Sequence, residues 1–340
     1  MTTDLININF KLDGISYSQK SLVSHFKNNK PYHEFLTSWF DDNDFIIVKT
    51  SGSTGFPKSI SLKKKDMISS ANLTAKFFKL SEGSKVINCL PLDYIAGKMM
   101  LVRSLVMGWD LNLFPISSEP IKKISSIYDF IALTPMQLEK SLDKIKYIKT
   151  VIVGGSPVNY DLREKIIKSK SVVYETYGMT ETITHIAVKN ITVGETKFTA
   201  MPGVEVGEKN NCLFIRPNHL SIDIIQTNDL VNLTNKNKFI LLGRRDFIIN
   251  SGGIKINPEA VEKKLSKYIS SDFVISSIDN VEFGEIVVIV FKKNIPNSYQ
   301  SFFKYLEKYE IPKEVLVIDN FPETNGKFNR LKIRNLINHN

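Results

Sequence analysis

A run of hydroxyl residues and glycines that ends in a lysine is the part of the sequence with the most definite chemistry. The run, TSGSTGFPK at 50–58, stands between the strand-like segment FIIVKT at 45–50 and a helical pattern at 65–80. Glycines let the backbone approach an anion closely, hydroxyl and N–H groups donate to phosphate oxygens, and lysine supplies positive charge. The run therefore predicts a phosphate-binding loop. A flexible Ser/Gly linker is the alternative, but such linkers seldom stand between a buried strand and a helix.

Pro57 distinguishes this run from the Walker phosphate loop, GxxxxGK[ST]. Aligning Lys58-Ser59 with the K[ST] of that motif places Gly52 correctly, but Pro57 then occupies the second obligatory glycine. Proline has no N–H group and a fixed φ, so it cannot replace that glycine. The sequence therefore indicates a phosphate loop of a different kind.

The elements around this loop follow an alternating pattern from about residue 45 to 176. Short apolar runs rich in β-branched residues, such as VINCLP at 86–91, alternate with helical patterns such as the one at 95–108. Strands that are apolar on both faces and separated by helices predict a largely parallel sheet that is covered on both sides.

The pattern changes after Gly178, where short strands dominate and indicate an antiparallel arrangement. From Pro258 onward it becomes α+β, with predicted helices at 258–268 and 298–308. We place the domain boundary at Arg245–Asp246, between the strand that ends LLG and the following FIIN.

The TSGSTGFPK run closely resembles the phosphate loop of the adenylate-forming superfamily, which includes acyl- and aryl-CoA ligases, peptide-synthetase adenylation domains and luciferases. Four further segments resemble motifs of that superfamily and follow in its order. They are YGMTE at 177–181, Asp229 in QTNDL, GRRD at 243–246 continuing through Gly253 to Pro258-Glu259, and NGK at 325–327. The resemblance covers roughly residues 45–337.

The resemblance implies an α/β fold with two domains. The larger one, residues 1–245, would bind ATP and the acyl substrate through a mostly parallel sheet and an antiparallel subdomain. The smaller one, residues 246–340, would be a mobile α+β domain. Only about 50 residues precede the phosphate loop, which is short for the superfamily, so we expect the larger domain to be truncated at its N-terminus.

The resemblance also assigns roles to residues that bind ATP. The β- and γ-phosphates would be held by Thr50, Ser51, Gly52, Ser53, Thr54, Gly55 and Lys58. The adenine would be bracketed by Gly154, Gly155, Ser156 and Tyr177, with Gly178 beside them; an ordinary strand-to-helix turn is the alternative for the glycine pair. Asp229 and Arg244 would hold the ribose hydroxyls. Asn228 stands where the superfamily has glycine, a departure that leaves the carboxylate of Asp229 intact.

The same motifs imply the catalytic residues and cofactors. Glu181 would hold Mg²⁺, and Thr180 would contact the α-phosphate. Attack of a carboxylate on the α-phosphorus brings two anions together, so the mobile cation Lys327 suits the step. Rotation about Asp246 would then bring Gly252-Gly253 to coenzyme A, the second co-substrate after ATP.

Within the superfamily the chain is most similar to the o-succinylbenzoate–CoA ligases of menaquinone biosynthesis, through LPLDYIAGKMMLVRSLVMG, IALTPMQLEK and GMTETITHIA. That acid carries a second carboxylate, so we expect a cation in the acyl pocket. Lys98 is the first candidate, with a solvent-directed stem as the alternative, and Arg103 is the second. His185 and Tyr94 would line the same pocket; Tyr94 replaces a histidine common in acyl-CoA ligases.

Composition limits the other functions that the chain could have. The net charge of +10 is spread along the chain without a recognised nucleic-acid module, so we expect no nucleic-acid partner. No apolar run approaches the ~20 residues of a membrane span, and the N-terminus lacks a signal-peptide pattern, which favours a cytoplasmic location. Cys89 and Cys212 stand in apolar segments and are predicted to be packed thiols.

Three alternatives to the o-succinylbenzoate ligase are left open. They are a ligase for another aryl or fatty acid, a peptide-synthetase adenylation domain without its carrier module, and a non-catalytic nucleotide-binding protein. The oligomeric state, monomer or homodimer, is also left open.

Overall fold

The structure is a computed structural model that describes residues 5–49, 58–324 and 327–339. The helices are α1 Gln19–His25, α2 Lys30–Phe40, α3 Lys64–Phe78, α4 Ile95–Met107, α5 Pro135–Lys140, α6 Tyr160–Ile167, α7 Pro258–Leu265 and α8 Arg330–Asn338. Within these ranges, three short 3₁₀ helices cover Ile145–Tyr147, Arg245–Phe247 and Tyr299–Tyr305.

The strands within the described ranges form one large sheet and three smaller ones. The first fifteen are β1 Lys11–Leu12, β2 Ile15–Ser16, β3 Phe45–Lys49, β4 Ser59–Lys63, β5 Lys85–Asn88, β6 Asp110–Leu113, β7 Tyr128–Leu133, β8 Ile148–Val153, β9 Val172–Gly178, β10 His185–Asn190, β11 Phe198–Ala200, β12 Val204–Lys209, β13 Cys212–Pro217, β14 Ile225–Asn235 and β15 Lys238–Arg244. The others are β16 Ile249–Ser251, β17 Ile254–Ile256, β18 Phe273–Asn280, β19 Gly284–Lys292, β20 Glu314–Ile318, β21 Glu323–Thr324 and β22 Lys327–Phe328.

The large sheet has its parallel strands in the order β1-β6-β5-β7-β8-β9. Adjacent residues of these strands point to opposite faces, and both faces are apolar. Phe130 belongs to the core that includes α2 and α4, whereas Ile131 belongs to the core that includes α5 and α6. The prediction of a parallel sheet covered on both sides is confirmed, and Cys89 and Cys212 are buried free thiols, as predicted.

Beyond β9 the same sheet continues with the antiparallel strands β10, β11, β15, β14, β13 and β12. Their apolar residues form a third core around Phe239 and Ile215, both fully buried. The change from parallel to antiparallel pairing at β9 is the change predicted after Gly178.

Residues after the 3₁₀ turn at 245–247 pack on cores of their own. One contains Ile249, Leu265 and Phe291, and the other contains Val288 and Ile333 on the opposite face of the β16–β20 sheet. The boundary at Arg245–Asp246 stays a prediction, but no buried residue of these two cores precedes 249 in the described chain.

Two local predictions differ from the structure. FIIVK forms β3, but β3 pairs antiparallel with β4 in a separate two-stranded sheet, and the sequence pattern does not predict β4. The β4 segment, SISLK, is short and half polar, so it gives little apolar signal. The helix predicted at 298–308 is a 3₁₀ helix, Tyr299–Tyr305, which begins after Ser298 in the left-handed region at φ 61°.

The separate cores predict that the two parts of the chain respond independently to a core mutation. Phe291→Ala should lower the free energy of unfolding of the C-terminal core by about 3–5 kcal/mol. Phe130→Ala should lower that of the N-terminal core by a similar amount. Both tryptophans, Trp39 and Trp109, lie in the N-terminal core. Phe291→Ala should therefore shift a melting transition seen by circular dichroism but not the one seen by tryptophan fluorescence. A shift of both transitions by Phe291→Ala would show one cooperative unit.

Candidate functional site

The turn between β9 and β10 carries the residues of the YGMTE motif. Gly178 closes β9 where no other residue would fit, because an added Cβ would lie 2.2 Å from the carbonyl oxygen of Thr184. Thr182 fixes the turn, since its hydroxyl accepts from the Met179 N–H at 2.9 Å. This turn places Thr180, which is half-buried, and Glu181, which is exposed, directly after the carboxyl end of β9.

Ile183 in this turn has φ 66°, the left-handed region, although it is β-branched and buried. Such a conformation is strained and persists only when the surroundings determine it. The hydrogen bond from its N–H to the Thr180 carbonyl at 2.9 Å contributes to that constraint. Sequence reasoning misses Thr182 and Ile183, because neither has a motif role of its own.

Tyr177 and Asp229 meet behind this turn. The Tyr177 hydroxyl donates to Asp229 Oδ2 at 2.5 Å, and both residues are buried. Burial and the neighbouring carboxylate raise the pKa of Tyr177, so the phenol stays a donor at neutral pH. Asp229 therefore keeps its second oxygen, Oδ1, for another partner, and Arg244 Nη1 lies 3.6 Å from it.

Arg244 also binds the carboxylate of Asp246. Its Nε and Nη2 donate to Asp246 Oδ2 at 3.0 and 2.6 Å. Burial alone would lower the pKa of Arg244, but this hydrogen bond and the charges of Asp229 and Asp246 raise it above its ordinary value. The predicted ribose-binding pair and the predicted hinge residue are thus parts of one ionic network.

Asn228 joins the same network. Its side-chain amide donates to Asp246 Oδ1 at 2.9 Å. A glycine at this position, as in the superfamily pattern, could not form that bond. The departure noted in the sequence therefore has a structural consequence, which is a direct bond between β14 and the junction.

The junction strand β15 is also bound to α7. The backbone N–H of Arg244 donates to Glu259 Oε2 at 2.5 Å. Gly243, with φ 137°, allows this approach, because an added Cβ would lie 2.5 Å from the same carboxylate oxygen. Burial raises the pKa of Glu259 above its ordinary value.

Arg103 is a charged residue whose side chain is fully buried. It lies on α4, is 2% exposed, and its Nε has no hydrogen-bond partner within the described part of the chain. Its Nη1 reaches only the Met100 sulfur at 3.7 Å, and no described carboxylate forms an ion pair with it. Burial lowers the pKa of Arg103 to about 9, so it stays charged at pH 7.

His185 interacts with the charges of both Arg103 and His219, so the three residues form one cluster. His185, the first residue of β10, is buried with an unpartnered Nε2, and His219 has a buried unpartnered Nδ1, as far as the described residues show. Burial and the charges of Arg103 and His219 hold the pKa of His185 well below its usual range, so its ring is neutral at pH 7. Because Gly178 pairs with His185, this cluster lies beside the Thr180–Glu181 turn.

Lys98 and Tyr94 lie near the start of the same helix. The Lys98 ammonium donates to the Leu92 carbonyl and lies 6.0 Å from the Phe35 ring centre. Burial lowers the pKa of Lys98. Tyr94 is the N-cap residue of α4 and is 42% exposed. The acyl-pocket roles of both residues stay predictions.

The other predicted site residues lie at loop and strand ends. Gly154-Gly155-Ser156 follow β8, next to the end of β9, and Gly252-Gly253 form the turn between β16 and β17. Lys58 is exposed directly before β4. The backbone of Lys327 pairs with that of Thr324 in the β21–β22 hairpin. The predicted residues that lie outside the described chain are Thr50, Ser51, Gly52, Ser53, Thr54 and Gly55; the side chain of Lys327 also lies outside it.

The described residues limit how a metal could be bound. They contain no group of three His, Cys, Asp or Glu side chains that could hold a metal ion alone. Mg²⁺ commonly takes one or two carboxylates and completes its shell with water and phosphate oxygens. Glu181 therefore fits a metal that arrives with a nucleotide. No helix within the described ranges is long and apolar enough to cross a bilayer.

Comparison with known proteins agrees with this geometry. The model of the family described as AMP-binding enzyme matches residues 11–207, more than half of the chain. The chain belongs to the AMP-binding enzyme family. The match ends within β12, so it includes the YGMTE turn and Arg103 but not the C-terminal part.

Three relatives show how far the likeness extends. The chain is 24% identical to the 2-succinylbenzoate–CoA ligase of Oceanobacillus iheyensis, over 84% of this chain and 68% of that protein. It is 29% identical to an acyl-CoA synthetase (AMP-forming)/AMP-acid ligase II-like protein from Dyadobacter fermentans, with a TM-score of 0.62 over 94% of this chain and 98% of that one. The o-succinylbenzoate coenzyme A synthetase (MenE) from Bacillus subtilis in complex with ATP and magnesium ion has the same fold, at 20% identity and a TM-score of 0.75, over 93% of this chain and 82% of that one.

The Asn228–Asp246 bond predicts a local effect on the junction. Asn228→Ala should speed hydrogen exchange of the backbone amides at 245–249 by about 2- to 5-fold, because an exposed hydrogen bond to a carboxylate contributes about 0.5–1 kcal/mol. Asn232→Ala, at an exposed position of the same strand, is the matched control and should leave those amides unchanged. Equal exchange in both variants would contradict a role of Asn228 at the junction.

Proposed function

We propose that the chain is an ATP-dependent acid–CoA ligase that forms an acyl-adenylate and then a CoA thioester, with o-succinylbenzoate as the acid. The observation that carries the choice of acid is the fully buried Arg103 without a carboxylate partner in the described chain. Membership of the AMP-binding enzyme family supports the reaction class. Because ATP and coenzyme A are its co-substrates, we place the enzyme in the cytoplasm. A homodimer stays a prediction.

In the first half-reaction, a carboxylate oxygen of the acid attacks the α-phosphorus of ATP, and pyrophosphate leaves. Tyr177, Asp229 and Arg244 would hold the nucleoside, because Asp229 is oriented by the Tyr177 hydroxyl at 2.5 Å and can accept from ribose hydroxyls. Thr180 would contact the α-phosphate and Glu181 would hold Mg²⁺, which neutralises phosphate charge when bound. Lys327 would stabilise the charge that develops between the two anions.

In the second half-reaction, the thiol of coenzyme A attacks the acyl carbonyl and AMP leaves. Gly252 and Gly253 form the β16–β17 turn with φ values of 57° and 81°. Because neither residue has a side chain, the backbone of this turn would be accessible to a narrow chain such as pantetheine. Rotation of the C-terminal part about Asp246 would exchange Lys327 for this turn at the reaction centre.

The electrostatics around Arg103 favour an acid with a second carboxylate. A buried, unpaired guanidinium has a large desolvation cost, and an anionic ligand would offset that cost. His185 and His219 have unpartnered nitrogens in the same cluster, among the residues described, and could donate further hydrogen bonds. The ammonium of Lys98, by contrast, already has a carbonyl partner, so we assign the second carboxylate to Arg103.

A panel of acids tests this function. With ATP, Mg²⁺ and coenzyme A, we expect pyrophosphate release with o-succinylbenzoate, and none of comparable rate with benzoate, a medium-chain fatty acid or amino acids. Turnover with another acid alone would retain the ligase and reject the substrate. No turnover with any acid would favour a non-catalytic nucleotide-binding protein.

The variant Arg103→Met tests whether Arg103 binds the second carboxylate of the acid. Loss of a hydrogen-bonded charge should raise KM for o-succinylbenzoate by about 10- to 100-fold but leave KM for a weakly used monocarboxylate analogue unchanged. The variant should also melt at a higher temperature without ligand, because methionine fills a similar volume without a buried charge. Lys98→Met is the matched control on the same helix. Equal losses with both acids, or a selective loss in Lys98→Met instead, would contradict the assignment.

A further inference from the structure

Arg330 lies at the start of α8, three residues after Lys327. Its side chain is 19% exposed and forms an ion pair with Glu262 of α7. Its Nη1 also donates to the Ile275 carbonyl of β18 at 3.3 Å. The guanidinium lies 5.6 Å from the ring centre of Phe247, in the 3₁₀ turn at the junction. One side chain therefore contacts two elements of the C-terminal unit and the segment that joins it to the rest of the chain.

Glu262 is fully engaged by the same arrangement. Its Oε2 pairs with Arg330 and its Oε1 accepts from the Ile275 N–H at 2.6 Å. Burial alone would lower the pKa of Arg330, but the Glu262 charge and hydrogen bond raise it. A largely buried ion pair is often no more stabilising than an apolar pair of the same volume. Its directed hydrogen bonds do, however, fix the relative orientation of the two side chains.

Helix α7 contacts β15 through one turn and α8 through the next. Glu259 accepts from the Arg244 N–H at the end of β15, and Glu262, three residues later, binds Arg330. The hairpin is held to α8 by Asn329, whose N–H donates to the Pro322 carbonyl at 2.7 Å. Its side chain caps the first turn of α8. A continuous set of contacts thus leads from Arg244 through α7 to the hairpin of Lys327.

We propose that Arg330 is a positioning residue for the adenylation half-reaction. It fixes the β21–β22 hairpin, which carries Lys327, to the helix that also holds the junction strand beside Asp229. The hairpin and α7 then move as one body, and Lys327 arrives at the α-phosphate with a defined geometry. The inference rests on the proposed function, because it assumes that Lys327 acts in adenylate formation.

Half-reaction kinetics on the whole chain test the proposal. ATP–pyrophosphate exchange reports adenylation, and conversion of supplied acyl-adenylate with coenzyme A reports thioester formation. Arg330→Met should lower exchange by about 10- to 100-fold, since a misplacement of about 1 Å in a charged group has effects of that size. Thioester formation should change by less than about 3-fold. Arg330→Lys should recover part of the exchange, and Glu262→Gln, which removes the partner charge, should reproduce the Met variant.

Arg334 offers a matched control. It lies one turn further along α8 and forms an ion pair of 2.6 Å with Glu285 of β19 instead of α7. Arg334→Met should lower both half-reactions by the same factor or neither. The proposal is overturned if Arg330→Met lowers both half-reactions equally, if Arg334→Met separates them in the same way, or if Lys327→Ala leaves exchange intact. Absence of exchange in the unmutated protein would instead reject the proposed function, and the positioning role with it.

Discussion

The guanidinium of Arg244 lies between Asp229 of the large sheet and Asp246 at the predicted domain boundary. Its side chain is about one-third exposed, so each ion pair contributes about 0–1 kcal/mol. Few other polar contacts of the described residues join the two parts; among them are Arg244 N–H with Glu259 and Asn228 with Asp246. Contacts as weak as these could break when a nucleotide binds. A binding free energy that differs by only a few kcal/mol between two orientations of the C-terminal residues is enough to change which one is preferred. A hinge at Asp246 would thus be both defined in position and reversible.

A second constraint is the charge buried on α4. The helix is apolar on almost all sides, which places Arg103 within packed side chains instead of at a surface. An unpaired buried charge destabilises a fold by several kcal/mol even after its neighbours relax, and proteins keep such strain mainly at functional sites. The strained Ile183 lies in the turn beside His185, which interacts with the charge of Arg103. The proposed acid pocket and the proposed nucleotide site would therefore share this region.

The sequence is sufficient to predict the change of sheet type and the places of the motifs. A strand that is apolar on both faces and a tight turn at a glycine such as Gly178 are local properties of the sequence, so both can be predicted from it. The antiparallel β3–β4 pair escapes prediction because SISLK has a weak pattern, and the 3₁₀ helix at 299–305 is misread because its apolar spacing also suits an α-helix. Whether a cation on α4 is buried depends on the tertiary packing around the helix. The sequence alone therefore cannot decide whether Lys98 or Arg103 is enclosed. The Asn228–Asp246 and Arg330–Glu262 contacts join residues 18 and 68 positions apart, and no periodicity reports such pairs.

The proposed mechanism depends on the attack of a carboxylate oxygen of the acid on the α-phosphorus of ATP. Oxygen-18 transfer measures that event directly. With o-succinylbenzoate labelled in its carboxylates, the mechanism predicts AMP that carries one ¹⁸O atom in its phosphate and pyrophosphate that carries none. Unlabelled AMP, or label in inorganic phosphate formed together with ADP, would contradict adenylate formation and remove the basis for the proposed roles of Lys327, Arg103 and the junction.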